Sequence, residues 1–137
     1  MQYLADGLWV SSARVERVTG IGGFFVRSRD RKALALWYQE RLGVTPLPGS
    51  YGKEAWSQQA GPTAFAPFDL DSKMIGPPEH TWMINFRVAD LDAIVAQLRA
   101  AGEEVEVDPE RYPNGRFASL RDPEGNGIQL WQPMSET

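Results

Sequence analysis

The chain has 137 residues, 42% of them hydrophobic, and a net charge of −4 from 14 basic and 18 acidic side chains. That length and composition suit one domain with a real core, and the mildly acidic balance argues against nucleic acid or an anionic membrane as the main partner. There is no cysteine and one histidine, His80, which excludes disulfides, thiolate nucleophiles, Cys-ligated zinc and a 2-His-1-carboxylate iron site built from one chain.

Residues 1–17 read as an N-terminal extension in which Leu4, Leu8 and Trp9 can pack an extra helix or arm. They lack the basic start and apolar run of a signal peptide, and no apolar run reaches the roughly 20 residues of a membrane span, so a cytoplasmic location is expected. The next signal is a repeat. Residues 21–44, "IGGFFVRSRDRKALALWYQERLGV", and 81–105, "TWMINFRVADLDAIVAQLRAAGEEV", each read as an alternating strand, an aspartate, an amphipathic helix and a glycine. Asp30 and Asp90 stand where each helix needs an N-cap. Leu34, Trp37, Tyr38 and Leu42 make one apolar stripe; Leu91, Ile94, Val95, Leu98 and Ala101 make the other. Gly43 and Gly102 suit the helix ends.

β-like segments follow each helix. In the first half these are Val44–Pro48, Glu54–Gln59 and Thr63–Phe68, interrupted by Gly and Pro; in the second they are Glu104–Val107, Gly115–Arg121 and Gly127–Gln132. Asp69–Glu79 joins the halves. The reading is α+β: two βαβββ modules, 18–68 and 80–133, pair into a curved mixed sheet around a cleft, with helices on the outer faces. Together they form one domain over 18–133, followed by a tail at 134–137. Alternation then assigns the faces. Phe24, Val26, Ser28, Ile84, Phe86, Val88, Ile128 and Leu130 turn to the helices. Gly23, Phe25, Arg27, Met83, Asn85, Arg87, Gln129 and Trp131 turn to the cleft.

The paired units, the "WYQERLGV" helix end and the closing "DPEGNGIQLWQP" resemble the vicinal oxygen chelate superfamily, which includes glyoxalase I, bleomycin-resistance proteins and extradiol dioxygenases. "GGFFVRSRD", "MINFRVADLD" and "GRFASLRDPEGN" resemble a small bacterial glyoxalase-like subgroup. The resemblance covers about residues 18–133 and implies a homodimer. It also implies a divalent metal held by His, Glu or Gln on inner-face positions. Those positions here carry Gly23, Met83 and Gln129, and the fourth falls near Ala64–Ala66. Glycine has no ligand atom and a thioether suits hard or borderline metals poorly. The expectation is a degraded metal site, with no metal, no cofactor and no ordinary metal-dependent glyoxalase or dioxygenase activity.

The candidate site residues each carry two readings. Gln129 and Asn85 orient polar ligand atoms, or satisfy neighbours. Arg27 and Arg87, equivalent in the two modules, clamp a carboxylate or phosphate, or reach solvent; Arg116 is a weaker candidate. Met83 lines the cleft and adapts to shape. Trp131, Phe25 and Trp56 form an aromatic box, or pack. Tyr112 is a lid, a weak general acid or structural. His80, Glu54, Glu79 and Glu124 read as surface residues, and no catalytic residue is assigned. Three functions remain open. One is a metal-free protein that binds a small apolar or anionic molecule. The second is a metal-independent or atypical-metal lyase, isomerase or hydrolase of the glyoxalase-like class. The third is a structural or regulatory module whose cleft is filled by side chains such as Met83 and Phe25.

Overall fold

The computed structural model describes residues 16–53 and 55–134, and the backbone of Gln2–Tyr3 and Trp9–Val10. Those two dipeptides, β1 and β2, pair antiparallel. The extension therefore contributes a short ladder; Leu4 and Leu8 lie outside the described residues.

The second half folds as the alternation predicts. β3 (Ile84–Arg87), α2 (Leu91–Ala100), β4 (Glu106–Val107), β5 (Gly115–Arg121) and β6 (Gly127–Pro133) form a βαβββ unit. Its sheet runs β3-β6-β5-β4, with β3 parallel to β6 and the other pairs antiparallel. Asp90 caps α2 by accepting from Ala93 N at 3.0 Å. Leu91, Val95 and Leu98 on α2 bury against Ala118, Leu120, Ile128 and Leu130 of the hairpin. Leu91, Leu98, Ile128 and Leu130 are fully buried, and each such side chain contributes about 1.5–3 kcal/mol relative to exposure.

The first half contributes α1 (Arg31–Leu42), capped by Asp30 through Ala33 N at 3.1 Å. It ends at Gly43, whose φ of 71° is a left-handed conformation that glycine adopts without a Cβ clash. The expected stripe packs inward: Leu34 and Trp37 are buried, and Tyr38 and Leu42 lie against the core. Side-chain bonds to the second half hold the helix. Glu103 accepts from Trp37 Nε1 at 3.0 Å and Arg41 Nε at 3.1 Å, and Asp122 accepts from the Tyr38 hydroxyl at 2.8 Å. α1 and α2 thus share the core on the helix face of the sheet, as expected of outer helices.

The strands expected in the first half are a correction. Among the described residues, none forms between Val10 and Ile84, so this chain's described residues do not complete two paired modules around a cleft. A strand persists only where a neighbour takes its ladder bonds. Pro46, Pro48, Pro62 and Pro67 have no N–H to give, and Gly22 and Gly23 bring no side chain to pack. Val18, Phe25, Leu47, Phe65 and Leu70 consequently stay largely exposed.

Candidate functional site

The face of the sheet away from the helices is open. Register builds it row by row, because directly opposed residues in neighbouring strands share a face. One row runs Asn85, Gln129, Ser119, Glu106 across all four strands. It is polar throughout, and the Asn85 amide donates to Gln129 Oε1 at 2.7 Å. The next row runs Arg87, Trp131, Phe117. The Trp131 and Phe117 rings are stacked, 6.4 Å between centroids with 6° between planes. Tyr112 meets Phe117 edge-on at 5.8 Å, extending the aromatic ledge. Trp131 Nε1 donates to the Asn114 carbonyl at 2.8 Å, which fixes the indole.

Gly115 allows that loop to close. Its φ is 131°, and a Cβ there would collide with the Gln132 carbonyl. Tyr112 donates its hydroxyl to Asp108 at 2.8 Å. That bond, with desolvation behind it, pushes the hydroxyl up to about 12. A proton held so firmly is a structural tie and a poor general acid near neutrality.

Of the residues expected in a cleft, Asn85, Arg87, Gln129 and Trp131 stand together on this face. Met83, half-buried, precedes them on the β3 side near Gly127. The remaining three stand apart. Phe25 is 85% exposed and Arg27 is exposed. Trp56 lies edge-on to Phe86, 6.4 Å between centroids, and Phe86 packs toward the core on the helix side. Arg27 and Arg87 share no partner among the described residues: Arg87 Nη2 donates to the Gln59 carbonyl at 3.0 Å. Arg116 turns to the helix side, where it makes two bonds to Asp92 on α2, at 3.0 and 3.1 Å. This bond and the guanidinium charge hold the Asp92 carboxyl below its ordinary value.

Of the expected surface residues, Glu124 is tied into the fold and His80 is half-buried. Glu124 accepts from Ser28 Oγ and from Arg29 N at 2.8 Å, and those bonds lower its pKa. His80 is half-buried, and its Nδ1 has no hydrogen-bond partner among the described residues. Glu79 is exposed as expected, and Glu54 lies outside the described residues. A groove of about 310 Å³ runs between α1 and the hairpin turn, but of its three acids Asp30 and Glu124 hold backbone N–H groups, Glu40 pairs with Arg41, and its Trp37 is core.

Sequence reading missed Phe117, Ser119, Glu106 and Arg121 on the open face. The signal was present for the first two: a turn over 122–126 sets Ser119 opposite Gln129 and Phe117 opposite Trp131. No group of three or more His, Asp or Glu side chains suited to a metal occurs among the described residues.

A sequence profile for the Glyoxalase/Bleomycin resistance protein/Dioxygenase superfamily matches residues 20–130. The chain belongs to that superfamily. Among solved structures it is similar to TnmS3, an antibiotic binding protein from Streptomyces sp. CB03234, at 28% identity and a TM-score of 0.58, covering 88% of this chain and all of that one. A glyoxalase/bleomycin resistance protein from the same Streptomyces matches 36% of this chain and 45% of its own, at 38% identity and a TM-score of 0.33. A glyoxalase family protein from Bacillus anthracis matches 75% and 84%, at 20% identity and a TM-score of 0.45. No curated protein matches. No helix among the described residues is long and apolar enough to cross a membrane.

Proposed function

We propose that this superfamily member is a small-molecule binding protein that takes an apolar or anionic ligand with an aromatic body on the open face of its sheet. The observation that carries this is the stacked Trp131–Phe117 ledge beside the Asn85–Gln129 amide pair. A flat ring gains stacking and apolar burial on the ledge, while the amides supply one free donor and one free acceptor side for its polar atoms. The antibiotic binding of TnmS3 supports a small-molecule ligand.

The metal positions implied by the resemblance do not fit a metal. Gly23 offers no ligand atom, and the Phe25 ring fills the space a Cβ there would take. Gln129 Oε1 already accepts from the Asn85 amide, and Met83 offers a thioether. We therefore derive no step through a metal. Exposed apolar side chains on the first half, with the open face itself, are surfaces that a second copy would cover, so the proposal includes a homodimer.

The test is a thermal-shift screen of planar aromatic carboxylates, sulfonates and neutral analogues, with metal analysis and light scattering on the same preparation. A ligand at 100 times its Kd adds about 2.7 kcal/mol to stability. That stabilisation should vanish in Trp131→Ala. Stoichiometric Ni, Zn, Fe or Mn in the purified protein would instead favour the glyoxalase-like lyase or isomerase reading.

A further inference from the structure

We infer that Arg87 is a latch that an anionic ligand opens, so that it both selects for negative charge and controls the chain segment crossing the β3 edge. The inference rests on reading the open face as the binding surface.

Three observations support it. Arg87 stands in the same row as Trp131 and Phe117, directly opposite Trp131 across the β3–β6 pair. Its partner is a neutral carbonyl, that of Gln59, 28 positions away in sequence. Arg29, Arg41 and Arg116 each reach a carboxylate, while Arg87 reaches none among the described residues. Arg99 and Arg121 also bond carbonyls, but those lie 6 and 4 positions away. Among the described arginines of the sheet, Arg87 alone holds a distant segment through a neutral carbonyl.

The contact is close-fitting. A Cβ on Gly61 would collide with Arg87 Nη1, so the guanidinium lies directly against the 59–61 backbone. Trp56, three residues before Gln59, meets Phe86 on the other face of β3. The segment therefore passes around the outer edge of that strand, and Arg87 pins its far end. Phe65, a few residues on, is 89% exposed and adds no further hold.

The energetics favour exchange. An anionic acceptor adds Coulomb attraction to the guanidinium bond that a neutral carbonyl lacks, and a carboxylate or sulfonate can take two N–H groups at once. An anion delivered by a ring stacked on Trp131 offers Arg87 a stronger acceptor than the Gln59 carbonyl. Binding then releases residues 59–61, and the lost latch bond lowers affinity by the same linkage.

Two fluorescent probes isolate the charge: anilinonaphthalene sulfonate, and phenylnaphthylamine, which has the same aromatic body without the sulfonate. The wild type should prefer the sulfonate. R87Q should lower sulfonate affinity about tenfold or more, to the level of the neutral probe, and leave the neutral probe unchanged. Gly61→Ala, which displaces the guanidinium from the segment, should raise sulfonate affinity several-fold and leave the neutral probe unchanged. Hydrogen exchange over residues 57–64 should accelerate with the sulfonate bound and in free R87Q, and should not respond to the neutral probe. Equal binding of both probes to all three proteins, or no change in exchange with the sulfonate, overturns the latch and leaves the open-face reading standing. Binding of neither probe overturns both.

Discussion

The most decisive stability test is removal of one hydroxyl. Asp122 is 5% exposed and its carboxylate takes four donors: Glu124 N at 2.8 Å, Asn126 N at 3.0 Å, Asn126 Nδ2 at 2.7 Å and the Tyr38 hydroxyl at 2.8 Å. The first three organise the hairpin turn; the fourth joins it to α1. Tyr38→Phe keeps the ring and deletes only that bond. Hydrogen bonds to charged groups contribute about 1.5–3 kcal/mol, and because the Tyr38 ring is only half-buried the lower end applies. At about 3 °C per kcal/mol for a chain of this size, Tm should fall by about 5 °C.

The control is Tyr112→Phe, which deletes a hydroxyl–carboxylate bond of the same 2.8 Å length to Asp108, a carboxylate that is less buried than Asp122. Its loss should be much smaller, because water replaces the donor. Urea unfolding of both variants, with Asp122→Asn to complete a double-mutant cycle, measures the coupling directly. Equal losses at the two tyrosines would refute the argument that burial makes the Asp122 hub matter. A Tyr38→Phe variant as stable as the wild type would show that α1 docks without the Asp122 bond, through its apolar stripe and its bonds to Glu103.

The remaining predictions use the same contacts. Burial and the Asp122 bond raise the Tyr38 pKa above its ordinary value. Its stabilisation is therefore complete below about pH 10 and declines as pH rises beyond it, and Tyr38→Phe should flatten that alkaline limb in pH-dependent melts. Glu124 is shifted the other way by Ser28 and Arg29. Its contribution is present above the ordinary carboxylate pKa and is lost as pH falls through the lowered value, so Glu124→Gln should flatten the acid limb of the same melts. Leu130→Ala, at a site with no exposure, should cost about 2–5 kcal/mol in chemical denaturation, whereas Ser119→Ala on the open face of the same hairpin should be near neutral. Gly115→Ala should lower Tm sharply, since it combines a φ of 131° with a collision against the Gln132 carbonyl.

The second half of the chain was legible because each of its signals is local. Asp90 caps its helix, the stripe from Leu91 to Leu98 buries, and the alternation of Ile128, Gln129, Leu130 and Trp131 sorts the two faces. Period and capping act over a few residues, so sequence alone determined the helices, the hairpin and the side of the sheet on which Asn85 and Gln129 stand. The first half carried the same signals around α1, and there too the helix and its buried stripe follow from them. Its strands did not, because a strand needs a ladder partner from elsewhere and alternation does not supply one.

Tertiary structure decided which of the expected cleft residues meet. Parallel pairing of β3 with β6 sets Asn85 beside Gln129 and Arg87 beside Trp131, and the hairpin turn sets Phe117 under Trp131. It also sent Arg116 to Asp92, Trp56 to Phe86 and Arg87 to Gln59. Each of those partners lies 24 or more positions away in sequence, where no local pattern can specify it.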